Sequence, residues 1–412
     1  MRKLFVLLAA GMAVGGVLTA TGSATAATAQ AGACAAQKPT KMGRFSGIVS
    51  AQAISGPLCT HDPTSPLGAS PPLVWHGGPV MGTDPNVPIT ITPIYWEPPG
   101  YTNPGDYRNI INQYLADVAA ASGSTSNVFS TATEYYGSNG PLAQNFIHYN
   151  IVRGAPIRDT NPLPKGQGCS VGKLDTSGIY ADGSGYTACL DDAQITAEIQ
   201  NVITALGLPS DYSHEYVMLT PKHVASCFFA GSTANKKNVC TIDHYPSAGY
   251  CAYHTMFGPN SPASGTVYAN LPYPIYHSPV GFTCGTDAGG HGTIESPNFN
   301  GSASSMDADV EASPLSHEIM ESITDPNTDN GWFDAIGNEN GDDCAYVFGN
   351  GTWTDVGGTP GRFYNQTING DHYITQEEFS NADWFNSPLA PNSTTKHTGG
   401  CVRGENVVTP AS

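Results

Sequence analysis

The sequence predicts an α/β fold: a mixed β-sheet with flanking helices and loops tied by disulfides. Two observations predict it. Through the first half of the chain, strand-like apolar runs take turns with segments of helical spacing, the pattern of a layered α/β structure. All ten cysteines follow an N-terminal secretory segment, and an even number in an oxidising compartment reads as up to five disulfides.

The secretory segment comprises Arg2 and Lys3, an apolar run from Leu4 to about Val17, and small residues for cleavage at Ala24-Thr25-Ala26 or Ala27-Thr28-Ala29. The run is shorter than the about 20 residues a membrane span needs, and no later stretch is longer. A secreted, extracellular protein with no membrane attachment after cleavage is expected. Residues 1–26 are then the signal and 27–70 a linker or flexible arm, small and polar, anchored by Cys34 and Cys59. A single domain is expected over 71–405.

Within that domain, PITITPIYW from Pro88 to Trp96 partly alternates and reads as a strand. From Tyr107 to Ala121, apolar residues at Ile110, Ile111, Tyr114, Leu115 and Val118 have helical spacing. Phe146 to Val152 reads as a strand, and Pro156 to Gly185 as loop. Ile195, Ile199, Val202 and Ile203 mark a second helix from Asp191 to Leu206. Glu215 to Thr220 is a short buried strand, and Thr266 to Leu271 an edge strand. Proximity alone pairs Cys169 with Cys189 and Cys240 with Cys251.

Only 12% of residues are charged, and 34 acidic against 16 basic side chains leave a formal charge of −18. That balance repels nucleic acid and anionic lipid, and excludes partners of those classes. The absence of any C-x-x-C pair argues against a cysteine zinc site or a redox dithiol.

The stretch from Ser316 to Cys344 carries the chemistry. His317 and Glu321 are four apart and share one face of a helix, with Glu318 beside them. This is the zinc-protease helix H-E-x-x-H with Glu in place of the second His. Ser313-Pro314 reads as its N-terminus and Thr324-Asp325-Pro326 as its stop. A catalytic zinc takes three protein ligands and leaves one position open. His317, Glu321 and Glu339 are the candidate ligands, with Asp342 and then Asp343 as alternatives for the third. Glu318, rotated off the ligand face, is the candidate general base. Asp342 is expected to accept from the second ring nitrogen of His317. One His with two carboxylates is a harder donor set than two His with one, so manganese or calcium also suits it.

The same residues carry a resemblance. H-E-x-x-E at His317 to Glu321, T-D-P at Thr324 to Pro326, Trp332, and the G-x-E-x-x-D-x-C element from Gly337 through Glu339 and Asp342 to Cys344 resemble the bacterial relatives of the plant phosphate-induced (EXORDIUM) protein family. His76-Gly77-Gly78-Pro79, Leu219-Thr220-Pro221, Cys251-Ala252-Tyr253-His254 (Ala for the family's Gly) and Phe363-Tyr364-Asn365 (Phe for its Ser) extend the similarity from about 75 to 370. The resemblance implies a secreted protein of zincin-like fold. The plant members lack the H-E-x-x-E residues and are linked to cell-wall growth.

The expected function is a secreted zinc peptidase acting on a peptide or cell-wall polymer through metal-activated water. The alternative is a non-catalytic extracellular protein of the same fold that binds cell-wall glycans. Other signals are weaker. Gly168 to Gly172 matches the G-x-S-x-G elbow around Ser170, but lacks the apolar strand before it. Asp325 to Gly331 approaches a calcium loop, with its Gly one place late. His254, His277 and His291 read as surface or structural histidines.

Overall fold

A computed structural model of the chain describes residues 72–137, 145–166, 168–169, 173–180, 185–230, 238–241, 249–274, 296–334, 337–345, 347–348, 354–355, 363–386 and 400–404. The signal and arm expected over 1–70, the elbow residue Ser170, and His277 and His291 lie outside these residues.

In chain order the elements that build and flank the main sheet are β1 (Val74–Trp75), β2 (Ile89–Trp96), α1 (Gly105–Ala120), β3 (Ile151–Arg153), β4 (Ile157–Asp159), β5 (Ala188–Asp191), α2 (Asp192–Leu206), β6 (His214–Leu219), β7 (Val224–Ala230), β8 (Asn238–Cys240), β9 (Tyr253–Phe257), β10 (Thr266–Leu271), α3 (Ala303–Thr324) and β11 (Trp332–Phe333). The fold is mixed α/β. β3 and β4 lie along successive parts of one edge of β2, and the sheet continues β2–β6–β10–β9. Every pair is parallel except β10 with β9, which is antiparallel and closes the sheet at that edge.

Side chains alternate across a strand, and here both faces are covered. Val217 and Leu219 of β6, with Val267, Ala269 and Leu271 of β10, pack in one core with residues of α1 and α3. Tyr216, Met218 and Tyr268, one residue out of step, pack in a second core with Ile195, Ile199, Val202 and Ile203 of α2. Helices on both faces make three layers. β9 obeys the same alternation: Tyr253 joins the α2 core, while His254, its neighbour, takes the opposite face. That single step of register is what aims a histidine at α3.

α1 and α2 match the spacing read from sequence. α2 opens on a capping box, in which Asp191 accepts from the Gln194 main-chain N–H and Gln194 reaches back. It ends at Gly207, whose φ of 63° is the left-handed geometry that glycine tolerates. Three expectations are corrected. Thr266–Leu271 is an interior strand, buried at every position, and the edge belongs to β9. The Pro156–Gly185 loop contains β4. The helix of the motif does not start at Ser313-Pro314. It starts at Ala303, where Ser302 Oγ accepts from the Ser305 N–H at 3.2 Å, and runs through Pro314. Pro314 forfeits one ladder hydrogen bond, a loss of about 3 kcal/mol in an exposed helix. α3 is buried from Asp307 to its C-terminus, and packing on all sides holds it continuous. Its end at Thr324 is as read, since Pro326 biases Asp325 away from helical geometry.

Among the described residues the disulfides are Cys169–Cys189, Cys227–Cys240 and Cys344–Cys401. The first was expected. Cys240 does not pair with Cys251: it sits opposite Cys227 on the paired strands β7 and β8, and the partner of Cys251 lies outside the described residues. Among the described residues no helix is long and apolar enough to cross a membrane.

The corrected helix start is testable. Ser302→Ala removes the cap and a contact to Asp106, and is expected to cost about 1–2 kcal/mol in urea unfolding. Unchanged stability would place the start elsewhere.

Candidate metal centre

α3 delivers His317, Glu318 and Glu321 to the interior, where none of the three has exposed surface. The turn at Glu339–Cys344 folds back onto this part of the helix. It is fixed from outside by the Cys344–Cys401 disulfide and by the pairing of Cys401–Val402 with Glu378–Phe379. β9 supplies His254 from the sheet. Two groups of donors result, and Glu321 belongs to both.

In the first group His317 Nε2 lies 2.9 Å from Glu321 Oε1 and 3.7 Å from Asp342 Oδ1. The Asp342 main-chain N–H donates to the same Glu321 oxygen at 3.0 Å and fixes the carboxylate. His317 Nε2 makes no hydrogen bond despite this proximity, so the contact to Glu321 is bent off the N–H direction. One imidazole nitrogen and two carboxylate oxygens within this range of one another form a group that could hold an ion.

In the second group His254 Nδ1 lies 3.2 Å from Glu318 Oε2 and 3.4 Å from Glu321 Oε2. Its Nε2 faces the Asp325 carbonyl at 3.0 Å and lies 3.8 Å from Glu339 Oε2.

The turn thus brings Asp342, not Glu339, to His317, while Glu339 sits by His254. Asp342 does not accept from the second ring nitrogen of His317, because that position is filled by Gln376, whose Nε2 lies 2.9 Å from Nδ1 and donates to the Gly341 carbonyl at 2.8 Å. Asp343 faces away from His317: its Oδ1 accepts from Asn338, and burial with Asp334 beside it raises its pKa well above the usual range. Asp342, 11% exposed, is the member nearest solvent.

Four residues of this region are not among the candidate site residues read from the sequence. His254 is the largest omission. Its signals were the C-A-Y-H segment and the alternation that sets it opposite Tyr253. Gln376 orients His317. Glu378 is fully buried, and neither of its oxygens has a hydrogen bond. Burial raises its pKa well above the ordinary value, against the opposing pull of His317. Glu215 of β6 accepts from Ser322 at 3.0 Å, and burial pushes it up to about 8.

The electrostatics are one-sided. Among the described residues, the ion-pair partners of these carboxylates are His254 and His317. Burial alone would lower both imidazoles; Glu339 and Glu318 raise His254, and Glu321 raises His317, well above the ordinary value. Glu318 is pushed up to about 7, chiefly by burial. Burial would also raise Glu321, but His317 and His254 hold it well below the usual carboxylate range.

This donor set fits a divalent cation. The His317 Nε2 and Glu321 Oε2 atoms are buried with no hydrogen bond, and nitrogen with carboxylate oxygens suits zinc or a harder ion. Ligation through Nε2 requires hydrogen on Nδ1. A half-turn of the Gln376 amide would supply the acceptor, at the loss of the hydrogen bond its Nε2 now donates to the Gly341 carbonyl. The Cys169, Cys189 and Cys227 sulfurs also lie close together, but all three are in disulfides and do not form a metal site.

No protein-family model matches the sequence, and neither a curated protein nor a solved structure matches it. The reading of the site therefore rests on its chemistry.

Two variants probe it. A Cβ on Gly341 would meet His317 Nδ1 at 2.7 Å, so Gly341→Ala is expected to weaken zinc binding about tenfold or more by calorimetry with the fold retained by circular dichroism. Full affinity would show that the ring is not held by this contact. Glu215 tests the charge balance. Its raised pKa means the folded state binds a proton that the unfolded state has released, so stability falls as pH rises from about 4, the unfolded value, to about 8. Glu215→Gln should stabilise the protein above about pH 8 relative to wild type and have little effect below about pH 4. A pH-independent difference in urea unfolding would contradict this.

Proposed function

We propose that this chain is a secreted metal-dependent hydrolase, a zinc peptidase of zincin-like fold related to the bacterial members of the EXORDIUM family. The observation that carries the reading is the convergence of His317 Nε2, Glu321 Oε1 and Asp342 Oδ1, with Glu318 one residue from the ligand face. A mixed sheet packed against the motif helix supports the zincin-like comparison.

In this reading His317, Glu321 and Asp342 hold the ion, and Glu339 lies behind them against His254. A divalent ion bound there acidifies a water and polarises a carbonyl. Glu318 then does the proton work. Without metal, burial raises its pKa to about 7, and a cation beside it would favour the ionised form that a general base needs. Its carboxylate takes the proton of the attacking water and returns it to the departing amine. His254 Nδ1, 3.2 Å away, would hold the carboxylate in place when the imidazole is protonated. Asp342, at the solvent side of the group, marks where a polymer chain approaches.

The complete burial of Glu318 favours a second reading, in which the group is structural and the protein binds cell-wall glycans without turnover. One pair of variants separates the two. His317→Ala should lose bound zinc by elemental analysis. Glu318→Gln should keep zinc at the His317 position and lose turnover of a peptide library by about 10²–10⁴-fold. Zinc bound in wild type, with equal and negligible turnover in wild type and Glu318→Gln, selects the binding protein.

A further inference from the structure

The group on the sheet side of Glu321 has a property that its role beside Glu318 does not require. His254 Nε2 lies 3.0 Å from the Asp325 carbonyl, and a carbonyl only accepts. The hydrogen of a neutral His254 is therefore on Nε2, and Nδ1 presents its lone pair to Glu318 Oε2 at 3.2 Å and Glu321 Oε2 at 3.4 Å. With His254 neutral, three acceptor atoms face one another, and either a proton on Nδ1 or a metal cation among them relieves the conflict. The spacing suits an ion: donors bound tetrahedrally at about 2 Å lie about 3.3 Å apart. The Asp325 carbonyl is also the kind of outer partner that fixes the tautomer of a ligating histidine. His254 thus needs no rearrangement to bind, whereas His317 must await the turn of Gln376. Glu321 Oε2 is fully buried and without a hydrogen bond, while Oε1 is held by the Asp342 N–H on the opposite side.

We infer that a second divalent cation binds between His254 Nδ1, Glu318 Oε2 and Glu321 Oε2, with Glu321 bridging it to the ion held by His317 and Asp342. This inference rests on the metal-centre reading above and adds regulation to it. An ion in the second position engages Glu318 as a ligand and withdraws it from proton transfer, so excess metal arrests the site. The competing occupant is a proton, which would make His254 an imidazolium.

The test is zinc titration of chelator-stripped protein by calorimetry, with the zinc content measured after gel filtration. Wild type is expected to take two zinc ions per chain, and His254→Gln and Glu318→Gln one each, with circular dichroism unchanged. Glu318→Gln covers the case in which His254→Gln fails to fold. One zinc in wild type and in both variants overturns the second position, leaves the first intact, and assigns the proton to His254. Two zinc ions retained by both variants also overturns it. No zinc in wild type overturns the metal-centre reading itself.

Discussion

The interaction on which the rest of this structure depends is the burial of carboxylates against α3. An isolated carboxylate moved into a low-dielectric interior costs on the order of tens of kcal/mol by Born solvation, and proteins avoid this by pairing, protonation or metal binding. Here Glu215, Glu318, Glu321, Glu339, Asp343 and Glu378 are all buried in one region. Among the described residues, two imidazoles face them. Burial raises the pKa of Glu215, Glu318, Asp343 and Glu378, which favours their neutral forms when no ion is bound. A stably folded α/β domain has no structural need for such an arrangement, since apolar residues of similar volume would pack at lower cost. Its position near the C-terminal end of the longest helix among the described residues is what gives the metal reading its force.

The fold builds this region with ordinary means. Strand alternation puts Tyr253 in one core and His254 in the other environment. A helix buried on all sides tolerates Pro314 three residues before His317. Gly341 leaves room for the imidazole, and a turn locked by Cys344–Cys401 returns Asp342 to the helix. Ligand groups come from the C-terminal third of a helix, a sheet edge and a disulfide-tied turn, elements that hold side chains to a defined geometry.

The sequence made some of this legible. The periodicity of Ile111, Tyr114, Leu115 and Val118, and of Ile195, Ile199 and Val202, marked two helices because each packs one face and exposes the other. α3 hid its start because it is buried on every side, so no amphipathic stripe marked its first turns, and Ser313-Pro314 imitated a cap. The i, i+4 relation of His317 and Glu321 was readable because it is local. The choice between Glu339 and Asp342 was not, because a turn places both near the helix and only its three-dimensional path decides which meets which histidine. His254, Glu378 and Glu215 arrive from distant strands, and Gln376 from the segment just before Glu378–Phe379. No spacing rule reaches them, and only the pairing of β9 with β10 and the closing hairpins bring them in.

The most direct test of the central claim, that the buried carboxylates are arranged to hold metal, is anomalous diffraction at the zinc edge from crystals equilibrated with zinc. The account predicts a peak within about 2.0–2.2 Å of His317 Nε2 and Glu321 Oε1, with the Gln376 amide turned to accept from His317 Nδ1. Crystals that bind zinc only at surface carboxylates, with Gln376 still donating to Gly341 and His317, would contradict it and leave the group as a buried proton-sharing network.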